Sequence, residues 1–271
     1  MDAARATTSS SAPAALTAQF LSAIPVTGSA AALDAARGAL SRSDGSAGSD
    51  LWLELSVGSS ERRMFSLLAE RLPRLAAKDS RVRLPFSIPS ATAKSADLRR
   101  LKQASFVIDF DAPTFKPFAA TFDAEVHVRA DLFATEKFVS EYISRKTYTR
   151  GFDIASEVAS SRAGDCTEHA VLLAAALRRQ GVSARVVFGI VLVIGERMAA
   201  FGHAWVEAVQ GRAFTRLDAA LYGLTEKHKI AVHYVPLAPL ADEGVGFSRA
   251  LREQPSTWDV RDVTLLLASE K

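Results

Sequence analysis

Cysteine is almost missing from this chain: Cys166 is the only one in 271 residues. That excludes an intrachain disulfide framework and a zinc cluster built on several thiolates. Long apolar runs are missing too, and no stretch approaches the ~18 residues a membrane-spanning helix needs. The first residues, Met1 to Arg5, lack a basic segment leading into an apolar one. No secretion signal is therefore expected in the chain as written, which reads as cytoplasmic, with an exported precursor left open. An excess of one charge is also missing. Lys and Arg number 33 against 30 Asp and Glu, a net charge of +3, and no basic block interleaves with aromatics. Nucleic acid is not an expected partner. The five histidines show no metal-ligand spacing, so neither a metal nor another cofactor is expected.

What remains is an ordinary globular composition, 48% hydrophobic and 23% charged, long enough for one large domain or one with a companion. Residues 1–49, rich in Ala, Ser, Thr and Gly, read as a flexible segment and linker, with a short helix over Ala30–Leu40. Residues 50–130 read as a mixed α/β region. Strands are expected at Leu51–Val57, Val82–Ile88, Ala104–Phe110 and Ala124–Arg129, with a helix over Glu61–Lys78. Asp109 and Asp111 read as solvated turn residues. Helices are expected at Thr135–Lys146 and Ile154–Ser160.

The densest pattern surrounds the cysteine. Asp165 can cap a helix, Glu168 three residues on completes a capping box, and Gly181 supplies a left-handed stop before Val182. The spacing predicts a helix over Cys166–Gln180, with the thiol in its first turn. There the positive end of the helix dipole and unpaired N–H groups favour thiolate, making Cys166 a candidate nucleophile. Ala184–Ile194 is a continuous apolar run, as a strand buried on both faces requires.

Phe201–Val209 and Arg212–Asp218 then read as a hairpin about Gln210-Gly211. Counting outward pairs Trp205 with Arg216 and His203 with Asp218, with Cβ atoms roughly 4.5–5.5 Å apart. A carboxylate so placed fixes an imidazole's tautomer and stabilises its charged form. An ordinary cross-strand polar pair is the plainer explanation, but the small neighbours Gly202, Ala204 and Ala208 leave room beside it. His169, one turn after Cys166, is the rival base. His127, His228 and His233 have no evident partner.

Gly164-Asp165-Cys166-Thr167-Glu168-His169, the Leu/Ala helix after it, Gly202-His203-Ala204-Trp205 and Leu217-Asp218 together resemble the transglutaminase-like superfamily of papain-like thiol enzymes, in its bacterial type. The resemblance covers roughly residues 131–247, leaving 248–271 as a C-terminal extension. It implies an α+β fold in which the Cys166 helix packs on an antiparallel sheet. It implies a catalytic set of Cys166 as nucleophile, His203 as base and acid, and Asp218 as orienter, acting on amide bonds of a protein or peptide substrate through a thioester. Trp205, Gly202 and Asp165 are candidates for the substrate groove, with Arg216 expected to stack on Trp205. A peptide- or protein-binding module that retains the triad without turnover is the alternative.

Overall fold

A computed structural model describes residues 6–7, 23–41, 50–58, 65–72, 75–78, 80–147, 153–194, 198–223, 230–240 and 260–270. Helices and strands are mixed along the chain, and two large sheets organise them. The first contains, in spatial order, β1 (Ala6–Thr7), β3 (Val26–Gly28), β13 (Val260–Leu267), β4 (Leu51–Val57), β6 (Arg81–Pro85) and β5 (Ala76–Lys78). The second runs β11 (Ala213–Leu217), β10 (Met198–Gln210), β9 (Ala184–Ile194) and β12 (Ala231–Pro239), with β2 (Ala23–Ile24) on the far end of β10. All of its pairings are antiparallel. A separate two-stranded piece pairs β7 (Arg145–Lys146) with β8 (Ala163–Gly164) in parallel.

The uninterrupted Val/Ile/Leu run of β9 is explained by what covers it. One core joins the Cys166 helix (Cys166–Arg179) to Val186 and Phe188 of β9 and Ala204, Val206 and Ala208 of β10. A second core joins Ile190 and Leu192 to Leu53, Leu55 and Leu84 of the first sheet. A third packs Val187 and Val191 against Phe201, Trp205 and Leu67. A strand enclosed on both faces needs no polar alternation. The architecture is α+β, with the Cys166 helix lying on an antiparallel sheet.

The Cys166 helix ends as its sequence dictates. Val182 N–H bonds to Leu177 C=O at 3.0 Å and Gly181 N–H to Arg178 C=O at 2.8 Å, the doubly bonded stop that needs a left-handed residue. Gly181 supplies it with φ +82°.

Elsewhere the sequence reading needs correction. Ala23–Gly28 and the helix Ala30–Ser41 are not part of a flexible lead-in: Ala32, Leu33 and Ala36 pack into the core between the sheets. The C-terminal extension supplies β13, an interior strand that pairs with β3 on one side and β4 on the other. Ala104–Phe110 is not a strand. Val107 and Ile108 are both fully buried while Phe106 is 41% exposed, so the apparent alternation does not track burial. Asp109 is not a solvated turn residue: its carboxylate accepts from the Ser156 N–H at 2.8 Å and hydroxyl at 2.6 Å, at the start of the helix Ala155–Ser161. Ala124–Arg129 begins as the last residues of the helix Lys116–Glu125, where Phe118 and Phe122, four apart, are both buried. The expected helix over Glu61–Lys78 is described only for Ser66–Arg71, and its end is the edge strand β5. Leucine spacing there registers a short helix and then a strand edge, which periodicity over a single window cannot separate.

Candidate active site

The cysteine's position is set by its own helix start. Asp165 Oδ1 accepts from Thr167 N–H at 2.8 Å, and Glu168 Oε2 accepts from Asp165 N–H at 2.8 Å, closing the capping box. Gly164 just before it is required by space: a Cβ there would lie 2.2 Å from Glu168 Cβ. Glu168 is fully buried, and burial, reinforced by the Asp165 charge, pushes its pKa up to about 8. Asp165, considered for the substrate groove, is committed to this cap.

The hairpin register is two residues away from the expected one. Gln210 pairs with Ala213, Val209 with Phe214 and Glu207 with Arg216, so the two-residue turn is Gly211-Arg212. Gly211, with φ +67°, takes the first central position, where the primed turns demand a positive φ. His203 is therefore not directly opposite Asp218. A shift of two keeps every side chain on its face, and the pair meets diagonally. His203 Nε2–H donates to Asp218 Oδ2 at 2.8 Å, with both residues buried.

Asp218 is held from several directions. Tyr234 O–H donates to Oδ2 at 2.8 Å, and the N–H groups of Ala220 and Leu221 donate to Oδ1 at 3.2 Å each. Its own N–H donates to a Glu136 carboxylate oxygen. Burial opposes its charge, but the His203 charge and these hydrogen bonds win, leaving its pKa below the ordinary carboxylate value. Burial likewise opposes a charged His203. The charge of Asp218, then that of Cys166, with hydrogen bonds from both, raises its pKa to about 10. Asp218 holds Nε2, so Nδ1 is the nitrogen on the Cys166 side. The cysteine itself is 8% exposed.

His169 is otherwise engaged. Its Nδ1–H donates to Asp165 C=O at 2.6 Å, and its Nε2 accepts from Lys146 Nζ at 2.7 Å. Burial first, then the Lys146 charge, lowers its pKa to about 3. Both ring nitrogens are taken, which removes it as a base. His233 is stacked on Phe86 at 4.0 Å, His127 lies on an exposed loop, and His228 lies outside the described residues.

Trp205 is on the His203 side of β10, its ring centroid 6.2 Å from the imidazole, and at 1% exposure it is a core side chain. Arg216 stacks on Tyr234 rather than Trp205, at 3.9 Å. Gly202 pairs with Ile190 and faces the other side of the strand. A cavity of about 370 Å³ reaches Asp218 instead, lined also by Phe133, Glu136, Arg216, Tyr222 and Tyr234. Tyr234 and Glu136 had no sequence signal: each meets Asp218 only through tertiary packing. Among the described residues, no group of three or more His, Cys, Asp or Glu side chains is arranged to hold a metal ion.

Residues 120–219, which contain Cys166, His203 and Asp218, match the profile of the transglutaminase-like superfamily. Over those residues the chain is similar to the core of that superfamily. No curated protein matches the chain in sequence. Among solved structures, one similar chain is a candidate cysteine protease from Cytophaga hutchinsonii, at 14% identity and a TM-score of 0.41, covering 80% of this chain and 81% of its own. Another is the periplasmic domain of TgpA from Pseudomonas aeruginosa bound to ethylmercury, at 20% identity and a TM-score of 0.39, covering 54% of this chain and 57% of that domain. Among the described residues of the present chain, no helix is long and apolar enough to cross a membrane.

Proposed function

We propose that this transglutaminase-like core performs thiol acyl chemistry on amides, with Cys166, His203 and Asp218 as the catalytic set. The observation that carries the reading is the buried His203–Asp218 hydrogen bond of 2.8 Å, formed beside the chain's sole thiol at a capped helix start. An imidazole whose pKa lies near 10 is charged at neutral pH, the partner a thiolate needs.

Cys166 sulfur attacks the carbonyl carbon, and the resulting oxyanion accepts from the Cys166 backbone N–H at the start of its helix. The C–N bond breaks as His203 passes its proton to the leaving amine, which leaves a thioester. His203, now neutral, takes a proton from the second nucleophile as it attacks the thioester, and the thiolate is released. Water as that nucleophile gives a peptidase or amidase, and an amine gives a transamidase.

The test is labelling of folded protein with an amide-mimicking thiol probe, together with product analysis from a peptide library with and without added amines. Labelling lost in Cys166→Ala and sharply reduced in His203→Ala supports the reading. Absence of labelling in the folded wild type would favour a peptide-binding module that keeps the triad.

A further inference from the structure

A second, smaller cavity of about 100 Å³ lies on the side of β10 that carries Trp205, and its wall includes Arg71, Ser90, Trp205, Glu207, Arg216 and Tyr234. Arg71 is the unusual member. Its side chain is 2% exposed, and Nη2 donates to Glu207 Oε1 at 2.5 Å. Its Nη1 is buried without a hydrogen-bond partner among the described residues. Buried guanidinium donors are seldom left unmet, because each carries the full cost of its lost hydration.

The charges around the cavity leave the same vacancy. Glu207 is shared, since Arg185 Nη2 also donates to it at 2.8 Å, and Arg185 reaches Glu70 at 3.2 Å. Arg216 pairs with Glu207 in register across the hairpin, lies exposed at the cavity's edge and stacks on Tyr234. Arg71 and Arg185 share Glu207 and Glu70, Arg216 also lies near Glu136, and the orphaned N–H belongs to the most buried of the three guanidiniums.

We propose that this cavity is a subsite for the carboxylate of a bound ligand, received by Arg71 Nη1 with Arg216 at the entrance. Its volume, about three times a water molecule's share of the liquid, takes a carboxylate and its adjoining carbon rather than a whole ligand. The group is thus the end of something larger, either an acidic side chain or a chain-terminal carboxylate. Two of the walls also touch the catalytic set: Trp205 stacks beside His203, and Tyr234 donates to Asp218. The subsite depends on Arg71 and Arg216 and not on whether Cys166 turns over an amide.

The experiment is equilibrium binding to the full chain, followed by calorimetry and by tryptophan fluorescence, for which Trp205 is a reporter in the cavity wall. Three probes separate the sources: N-acetylglycine for a terminal carboxylate, N-acetylglutamate α-amide for an acidic side chain, and N-acetylglutamine α-amide as the neutral control. Arg216→Gln alters an exposed residue and should fold. Arg71→Met combined with Glu207→Gln removes both buried charges together, and Arg185 keeps Glu70 as its partner. Saturable binding of one or both carboxylates, absent for the neutral amide and weakened about tenfold or more in both variants, is the expected result. No carboxylate binding, equal binding of the neutral probe, or binding undiminished in the double variant overturns the proposal and leaves a cavity that holds water only.

Discussion

Gly189 lies directly across the β9–β10 ladder from His203, and the indole of Trp205 folds into the space a side chain at Gly189 would fill. A Cβ there would sit 2.2 Å from Val235 C=O and 2.4 Å from the Trp205 ring. Both neighbours are fixed, one of them backbone. Gly189→Ala should therefore destabilise the fold by about 1–3 kcal/mol, as overpacking does. Chemical denaturation checks the loss. A changed tryptophan emission in the folded protein would reveal that the indole, and with it the wall beside His203, has moved.

The carboxylate of Asp218 is what keeps His203 charged against burial. With a pKa near 10 in the folded chain against about 6.5 unfolded, the histidine contributes stability that is full below pH 6.5 and lost as pH rises towards 10. Asp218→Asn removes the opposing charge while retaining the shape. The imidazole resonance should then titrate well below pH 10 by NMR. The rate of acyl transfer from an amide at neutral pH should fall by about 10²–10⁴, the scale of losing a triad orienter. A histidine titration unmoved by this substitution would show that Asp218 does not govern the ring.

Tyr234 donates to the same carboxylate oxygen as His203. Burial first, then the Asp218 charge, holds its pKa well above the ordinary tyrosine value, so it remains a donor throughout the working range. Tyr234→Phe should cost about 1 kcal/mol of stability. The carboxylate then loses one of the bonds that keep it ionised, and the His203–Asp218 pair should titrate at shifted pH with activity reduced by less than Asp218→Asn. Activity and NMR titration of the two variants side by side rank their contributions.

Glu168 also makes stability fall as pH rises, here because burial raises its pKa. Its folded pKa of about 8 lies above the ordinary 4.5, so the folded chain binds the extra proton between those values. Stability is unaffected below pH 4.5 and declines as pH rises to about 8. Glu168→Gln preserves the acceptor that the capping box requires without an ionising group. Urea denaturation across that window should show a pH slope flatter by up to about 1.4 kcal/mol per unit, the value of one proton.

The sequence was most legible where local rules act alone. Asp165, Glu168 and Gly181 mark both ends of the Cys166 helix within a residue, because caps and stops are set by neighbours along the chain. The hairpin shows how far counting reaches. The turn lies at Gly211-Arg212 rather than one residue earlier, a choice made by the left-handed glycine, yet the face shared by His203 and Asp218 survives because strand side chains repeat every two residues. The segment Ala104–Phe110 failed for the complementary reason. Its alternating aromatics imitate a half-buried strand, whereas a helix start that needs Asp109 governs its conformation. Nothing near Tyr234, Glu136 or Arg71 in the chain announces their partners, which only the packed sheets supply.

The hydrogen bonds at Asp218 involve four segments, and the farthest partner, Glu136, lies 82 positions away. Contacts of such separation form late, after the loops between them have closed. A chain still folding, or one opened locally, has a cysteine with no charged imidazole beside it and so an ordinary, unactivated thiol. On the function proposed above, reactivity is then conditional on assembly: the thiol is armed by the completed fold and is harmless to its own chain, and to its neighbours, before that point.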